Sequence, residues 1–167
     1  MMTRALFGML TLLLAWGALA STEAQQMETI GAWRYAAEVE GAPPGSRQDM
    51  AIVEGEDPSG AGSLVLTCVG DGNIVVMALW PADLGSSSTH EVNVRFDQDD
   101  LGRLTWVTGS NGRALVVPGG HHGHVAFLYR MLTADTLELE VLESEDVATR
   151  IRLHYAPGLP EVLDRLY

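Results

Sequence analysis

The fold of this chain is decided by residues 64–80, LVLTCVGDGNIVVMALW, in which two apolar segments flank a turn. Residues 64–69 and 74–80 are apolar at consecutive positions, which is typical of strands whose two faces are both covered. The intervening GDGN at 70–73 indicates a hairpin, because Gly and Asn accept the positive φ that tight turns require. We therefore expect an antiparallel strand pair here, at the centre of a sheet.

The segments on either side alternate apolar and polar residues, as half-buried strands do. The clearest alternations lie at residues 33–38, 91–97, 137–141 and 150–155. Turns that contain Gly, Pro or Asn separate them at short intervals. Short strands joined by tight turns predict a mainly β fold, an antiparallel β-sandwich of about eight or nine strands.

Two segments depart from this alternation and predict one or two short helices. In residues 125–134, Phe127, Leu128 and Met131 have helical spacing. A strand is the alternative, since alternate residues from Val125 to Met131 are also apolar; we favour the helix. The second helix is expected at the C-terminus, where a Pro suits a helix start and four apolar residues share helical spacing: Leu159, Val162, Leu163 and Leu166.

The first twenty residues have the three parts of a secretion signal. Arg4 is followed by an uncharged apolar run that ends at Ala18-Leu19-Ala20, a small-x-small pattern typical of cleavage sites. The run is shorter than the roughly 20 apolar residues that a membrane span needs. We expect cleavage after Ala20, with Ala24 as the alternative. A single periplasmic domain, residues 21–167, would remain, without membrane insertion.

Composition narrows the classes of partner. The chain has 10 basic and 22 acidic residues, a formal net charge of −12, which disfavours binding to nucleic acid because phosphates require clustered cations. Its one cysteine, Cys68, excludes an intrachain disulfide and a zinc site built from several cysteines. Because Cys68 lies within an apolar run, we expect it to be a small buried side chain.

A compact group of histidines, His121, His122 and His124, is the candidate metal site. On an extended loop two imidazoles at i and i+2 share a face, and zinc or copper would take its remaining ligands from His90, His154 or a carboxylate. A polar loop without a metal is the alternative. The acidic run at 97–100 similarly suggests calcium, or simply a hairpin tip made of Asp residues.

The motifs of common enzyme classes are missing from the sequence. It has no Gly-x-Ser-x-Gly elbow, no His-Glu-x-x-His and no phosphate-binding glycine loop. We therefore expect no enzyme, and a periplasmic hydrolase is the least favoured alternative. Trp33, Trp80 and Trp106 lie in apolar strand segments and are expected in the core rather than on a ligand-stacking surface.

Several short pieces, taken in order, resemble a family of exported bacterial proteins: DMAIV at 49–53, LVLTC at 64–68, VNVRFD at 92–97, SNGRAL at 110–115 and the pair Gly158-Leu159. The pattern is similar to that of the VasI/TagO-like periplasmic proteins, which are accessories of type VI secretion, and covers most of residues 33–166. Thr67 stands where that family usually has a basic residue. The resemblance implies a shared fold and an accessory role, and it assigns no catalytic residue.

The leading hypothesis is an exported, non-enzymatic envelope accessory that binds a protein partner and is associated with type VI secretion. A small-ligand or metal-binding module that uses the residues 121–124 is the alternative.

Overall fold

The computed structural model describes residues 27–37, 48–56, 62–69, 72–99, 101–109, 112–144 and 147–167. The predicted leader, residues 1–20, lies outside them. The described residues form ten strands and two helices: β1 (Glu28–Ile30), β2 (Trp33–Ala36), β3 (Met50–Glu54), β4 (Ser63–Val69), β5 (Asn73–Leu79), β6 (Thr89–Phe96), β7 (Gly102–Thr108), β8 (Ala114–Val116), α1 (Gly120–Met131), β9 (Thr136–Ser144), β10 (Val147–His154) and α2 (Leu159–Leu166).

All ten strands belong to one antiparallel sheet in the order β1-β2-β3-β4-β5-β8-β7-β6-β9-β10. The prediction of a mainly β, antiparallel fold with one or two short helices is confirmed, and the described residues form two. The strands of the described residues outnumber the eight or nine expected from the sequence. Strand β1 has only three residues, too few to show an alternating pattern.

The hairpin that we expected to form the sheet centre is β4 and β5. Its register pairs Leu64 with Ala78 and Cys68 with Ile74. Strand β4 is buried at five consecutive residues, as an internal strand covered on both faces should be. Strand β5 alternates between buried and half-buried residues, so one of its faces is only partly covered.

The sheet curls until its two ends touch. The Trp33 indole Nε1 donates a hydrogen bond to the Tyr155 carbonyl oxygen at 2.7 Å, and the Ala32 backbone N–H donates to the Pro157 carbonyl oxygen at 2.8 Å. These bonds join β2, near the start of the strand order, to the end of β10. The enclosed space is the hydrophobic core, and Trp33 and Tyr155 are both fully buried in it.

Two glycines allow this closure. Gly31 and Gly158 both have positive φ, +60° and +91°. A Cβ atom on Gly31 would lie 2.2 Å from the Pro157 carbonyl oxygen, and one on Gly158 would lie 2.2 Å from the Ile30 carbonyl oxygen. Any side chain here would therefore push the β1–β2 turn away from the segment between β10 and α2.

Helix α2 covers the β1–β2 end of the core and confirms the predicted C-terminal helix. Pro160 lies in its first turn, and its four apolar residues of helical spacing are all buried. Outside the core, Arg165 pairs with Glu28 and Glu161 and lies over the Tyr35 ring, 5.5 Å from the ring centroid. Among the described residues, neither helix is long and apolar enough to cross a membrane.

Candidate functional site

Helix α1 lies where strand β8 ends. Strand β8 pairs on one side with Met77–Leu79 of β5, and on the other side with Val107 and Thr108 of β7. After one more bond, from the Val117 N–H to the Val76 carbonyl oxygen at 3.1 Å, the chain turns into the helix. The Val76 N–H points to the same side of β5 as its carbonyl group, but the chain has already left β8 and offers it no backbone acceptor there.

His124 supplies the missing partner. Its Nδ1 accepts a hydrogen bond from the Val76 backbone N–H at 3.2 Å, and the side chain is buried. Burial, together with the nearby His121, lowers the pKa of His124. Since Nδ1 accepts a hydrogen bond, the imidazole is neutral and carries its proton on Nε2. His124 is therefore a structural group that joins α1 to β5.

The histidines lie at the start of α1, His121 and His122 in its first turn and His124 directly after it, and not in the loop that we expected. Helix α1 overlaps the segment 125–134 predicted to be helical, but it starts five residues earlier, at Gly120, and ends at Met131. His121 and His122 are exposed, with ring centroids 5.8 Å apart. No group of three side chains suited to hold a metal occurs in the described part of the chain. The zinc or copper site stays a prediction.

The other histidines proposed as ligands lie on other elements. His90 is opposite Trp106 in the β6–β7 pair. His154, at the end of β10, has its Nε2 3.5 Å from a carboxylate oxygen of Glu56. Both histidines therefore have neighbours from the sheet and not from α1.

The two sides of α1 differ sharply in their surroundings. Phe127 packs edge-on against Phe96 and Trp106, with ring centroids 5.2 and 5.7 Å apart. The outward side carries Val125, Tyr129 and Leu132, which are 42%, 68% and 51% exposed. Their i, i+4, i+7 spacing places them on one face. We call these three residues the α1 stripe.

Beside the C-terminal end of α1 lies an open cleft of about 1040 Å³, which we call the acidic cleft. It is formed by the turn after β6, the start of β9 and the segment after β10. Three of its lining residues carry carboxylates, Asp97, Asp99 and Asp135, and the others are Gln98, Thr136, His154, Ala156 and Pro157.

Asp97 holds this cleft together. Its backbone has the left-handed φ of +50°, which Asp tolerates better than most side chains. Its Oδ1 accepts hydrogen bonds from the Thr136 N–H at 2.8 Å, the Thr136 hydroxyl at 3.0 Å and the Asp135 N–H at 3.0 Å. These hydrogen bonds lower the pKa of Asp97, and the one from the Thr136 N–H has the largest effect. The cleft therefore keeps a fixed negative charge.

The other two carboxylates of the cleft have different surroundings. Asp99 pairs with Arg130 of α1, whose guanidinium lies over the Phe96 ring at 5.4 Å from its centroid. Asp135 is exposed. Asp100, the last residue of the run considered for calcium, lies outside the described residues. Three carboxylates thus share the cleft with one neighbouring guanidinium.

A second, smaller cavity of about 260 Å³ lies between the end of α1 and the start of α2, and we call it the α1–α2 groove. Six of its eight lining residues have apolar side chains, Met131, Leu132, Ala134, Ala156, Leu159 and Pro160, and the other two are Thr133 and Asp135. Asp135 and Ala156 also line the acidic cleft. The groove and the cleft are therefore adjacent parts of one surface.

Other residues singled out from the sequence have structural roles. Trp33, Trp80 and Trp106 are buried, which confirms the expectation that they belong to the core. Cys68 is also buried, as expected.

Comparison with known proteins establishes similarity of fold alone. No family model matches the chain, and no curated protein matches it. Among solved structures, it is similar to the crystal structure of invasion associated protein B from Bartonella henselae, with a TM-score of 0.59 and 11% sequence identity. The similarity covers 84% of this chain and 95% of that one.

Proposed function

We propose that this chain is an exported, non-enzymatic accessory protein of the cell envelope, periplasmic after removal of its leader, that acts by binding another protein. The observation that carries the proposal is the α1 stripe. Its three apolar side chains face water on a helix whose opposite side is packed into the core. An apolar helix face of this spacing is a common docking element in protein complexes.

Tyr129 is the expected centre of the contact. It is the most exposed residue of the stripe, and Tyr combines a large apolar ring with a hydroxyl that forms hydrogen bonds at the edge of an interface. The helix needs no rearrangement to present it, because His124 and Phe127 hold the opposite face against β5, β6 and β7.

The charge of the chain indicates the chemistry of the partner. With 22 acidic and 10 basic residues, the protein attracts surfaces that carry Arg or Lys. We expect a partner with an apolar surface bordered by basic residues. The resemblance to VasI/TagO-like proteins supports the narrower proposal that this partner belongs to a type VI secretion apparatus.

Site-specific photocrosslinking in the native envelope tests the proposal. A photoreactive residue at position 129 should capture one defined protein, whereas the same residue at position 167 should not. Tyr167 is a matched control because it is 70% exposed and lies at the end of α2. The captured protein is then purified and its affinity for the chain is measured by calorimetry.

In that binding assay Tyr129→Ser should weaken the complex about tenfold or more, since truncation of a central aromatic residue costs upwards of about 2 kcal/mol. Tyr167→Ser should leave the affinity unchanged. Equal affinities for wild type and Tyr129→Ser would refute the assignment of the stripe. A chain that keeps its leader and stays outside the envelope fraction would refute the export step.

A further inference from the structure

The α1–α2 groove and the acidic cleft lie side by side and differ in chemistry. Leu132, which is half exposed, and Leu159 line the groove, whereas Asp97, Asp99 and Asp135 line the cleft. Asp135 and the neighbouring Ala156 belong to both. A peptide that spans both would therefore place one side chain beside leucines and a neighbouring side chain beside carboxylates.

The apolar part is accessible because of how α1 ends. Its capping residue Leu132 keeps helical backbone angles, and its N–H bonds back to the Leu128 carbonyl oxygen. The side chain nevertheless points away from the core, unlike that of Met131. Leu132 is also a member of the α1 stripe, so the groove continues the surface assigned to partner binding.

The acidic cleft stays negatively charged because of the hydrogen bonds that Asp97 accepts. The Asp97 carboxylate is held by hydrogen bonds from the start of β9 and has a lowered pKa. Arg130 is the guanidinium that pairs with Asp99. Three carboxylates beside one guanidinium leave an excess of negative charge that a ligand cation would balance.

We infer that the α1–α2 groove and the acidic cleft together bind one short segment of a partner protein, in which an apolar side chain neighbours Arg or Lys. The apolar side chain occupies the groove beside Leu132, and the cation enters the cleft beside Asp135. The inference rests on the proposed function and extends it, because it adds a sequence requirement to the partner and a second contact beyond Tyr129.

Three synthetic peptides of equal length serve as probes: one of alternating Leu and Arg, one of alternating Leu and Glu, and one of alternating Ser and Arg. Each is titrated into the ¹⁵N-labelled full chain, and the amide shifts report both affinity and location. The Leu–Arg peptide should bind most tightly, shift amides of residues 131–136, and weaken as salt is raised, because salt screens exposed charges.

Two substitutions on the surface separate the parts of the site. Leu132→Ser should weaken the Leu–Arg peptide about tenfold, and Asp135→Asn about threefold, the range for an exposed ion pair. Glu91→Gln is the matched control, since it removes the same charge on β6, roughly 20 Å along the strand from Asp97. It should change nothing, and thermal melts confirm that all variants are folded.

The outcomes are distinct. Equal affinities of the Leu–Arg and Ser–Arg peptides would refute the binding of an apolar side chain in the groove. Equal affinities of the Leu–Arg and Leu–Glu peptides would refute the binding of a cation in the cleft, and no binding would refute both assignments. The same variants are also assayed with the protein captured through position 129. If Tyr129→Ser weakens that complex while Leu132→Ser and Asp135→Asn do not, the proposed function stands and this inference fails.

Discussion

Replacing His124 by Phe removes the acceptor of the Val76 N–H while keeping a flat ring in the same space. The wild-type bond is 3.2 Å long and lies in the interior, so water does not replace it. Above the ordinary imidazole pKa we expect the free energy of unfolding to fall by about 1–3 kcal/mol, the cost of a buried amide left unpaired.

This loss depends on pH, because burial lowers the pKa of His124 in the folded chain below the ordinary value of 6.5. Between these two pKa values the unfolded chain binds a proton that the folded chain does not. The stabilisation by His124 is therefore complete above about pH 6.5 and is lost as the pH falls towards the lowered pKa, at most about 1.4 kcal/mol per pH unit.

Urea unfolding followed by tryptophan fluorescence measures wild type and His124→Phe over this pH range. Carboxylates titrate alike in both proteins, so the difference between them isolates His124. We expect the difference to shrink as the pH falls below about 6.5. His122→Phe, on the exposed side of the same helical turn, is the control and should have little effect. A difference that is independent of pH would refute the role of a neutral imidazole acceptor.

Further predictions concern stability, processing and metal. Asp97→Ala should lower the urea midpoint more than Asp97→Asn, which keeps an acceptor for the N–H groups at the start of β9; equal midpoints would contradict this role. Trp33→Phe should cost about 1–3 kcal/mol of unfolding free energy, since it leaves the buried Tyr155 carbonyl without this donor. Mass spectrometry of the exported protein should show an N-terminus directly after Ala20; an intact leader would refute cleavage. The metal hypothesis requires near-stoichiometric heat on titration with zinc or copper, and His121→Ala should abolish it; no heat ends the hypothesis.

The strands could be predicted wherever their own pattern was long enough. Segments 64–69 and 74–80 predict β4 and β5 because they are apolar at consecutive positions. The alternations at 91–97 and 150–155 predict β6 and β10 because burial of one face imposes a period of two on a strand. Strand β1 has three residues and no such pattern. The position of β8 between β5 and β7 is set by pairing across the sheet, which no local pattern encodes.

The first turn of α1 could not be predicted for a similar reason. Gly120 and Gly123 oppose helix formation, and the N-cap Gly119 makes no side-chain hydrogen bond. What stabilises the turn is tertiary: the bond between His124 and Val76, and the packing of Phe127 against aromatic rings of β6 and β7. The spacing of His121, His122 and His124 suggests a metal site, and no sequence pattern shows that Nδ1 of His124 accepts a hydrogen bond from the Val76 backbone N–H.

The acidic cleft shows why charge runs are hard to interpret locally. Residues 97–100 suggest either a calcium site or an acidic hairpin tip. The structure has a turn after β6, and there Asp97 directs its carboxylate to the start of β9. Its neighbour Asp99 faces α1 instead, through Arg130. The third carboxylate, Asp135, lies between the C-terminal end of α1 and the start of β9. Adjacent acidic residues thus have separate tasks, and the negative surface that we assign to partner binding arises only when β6 and β9 pair.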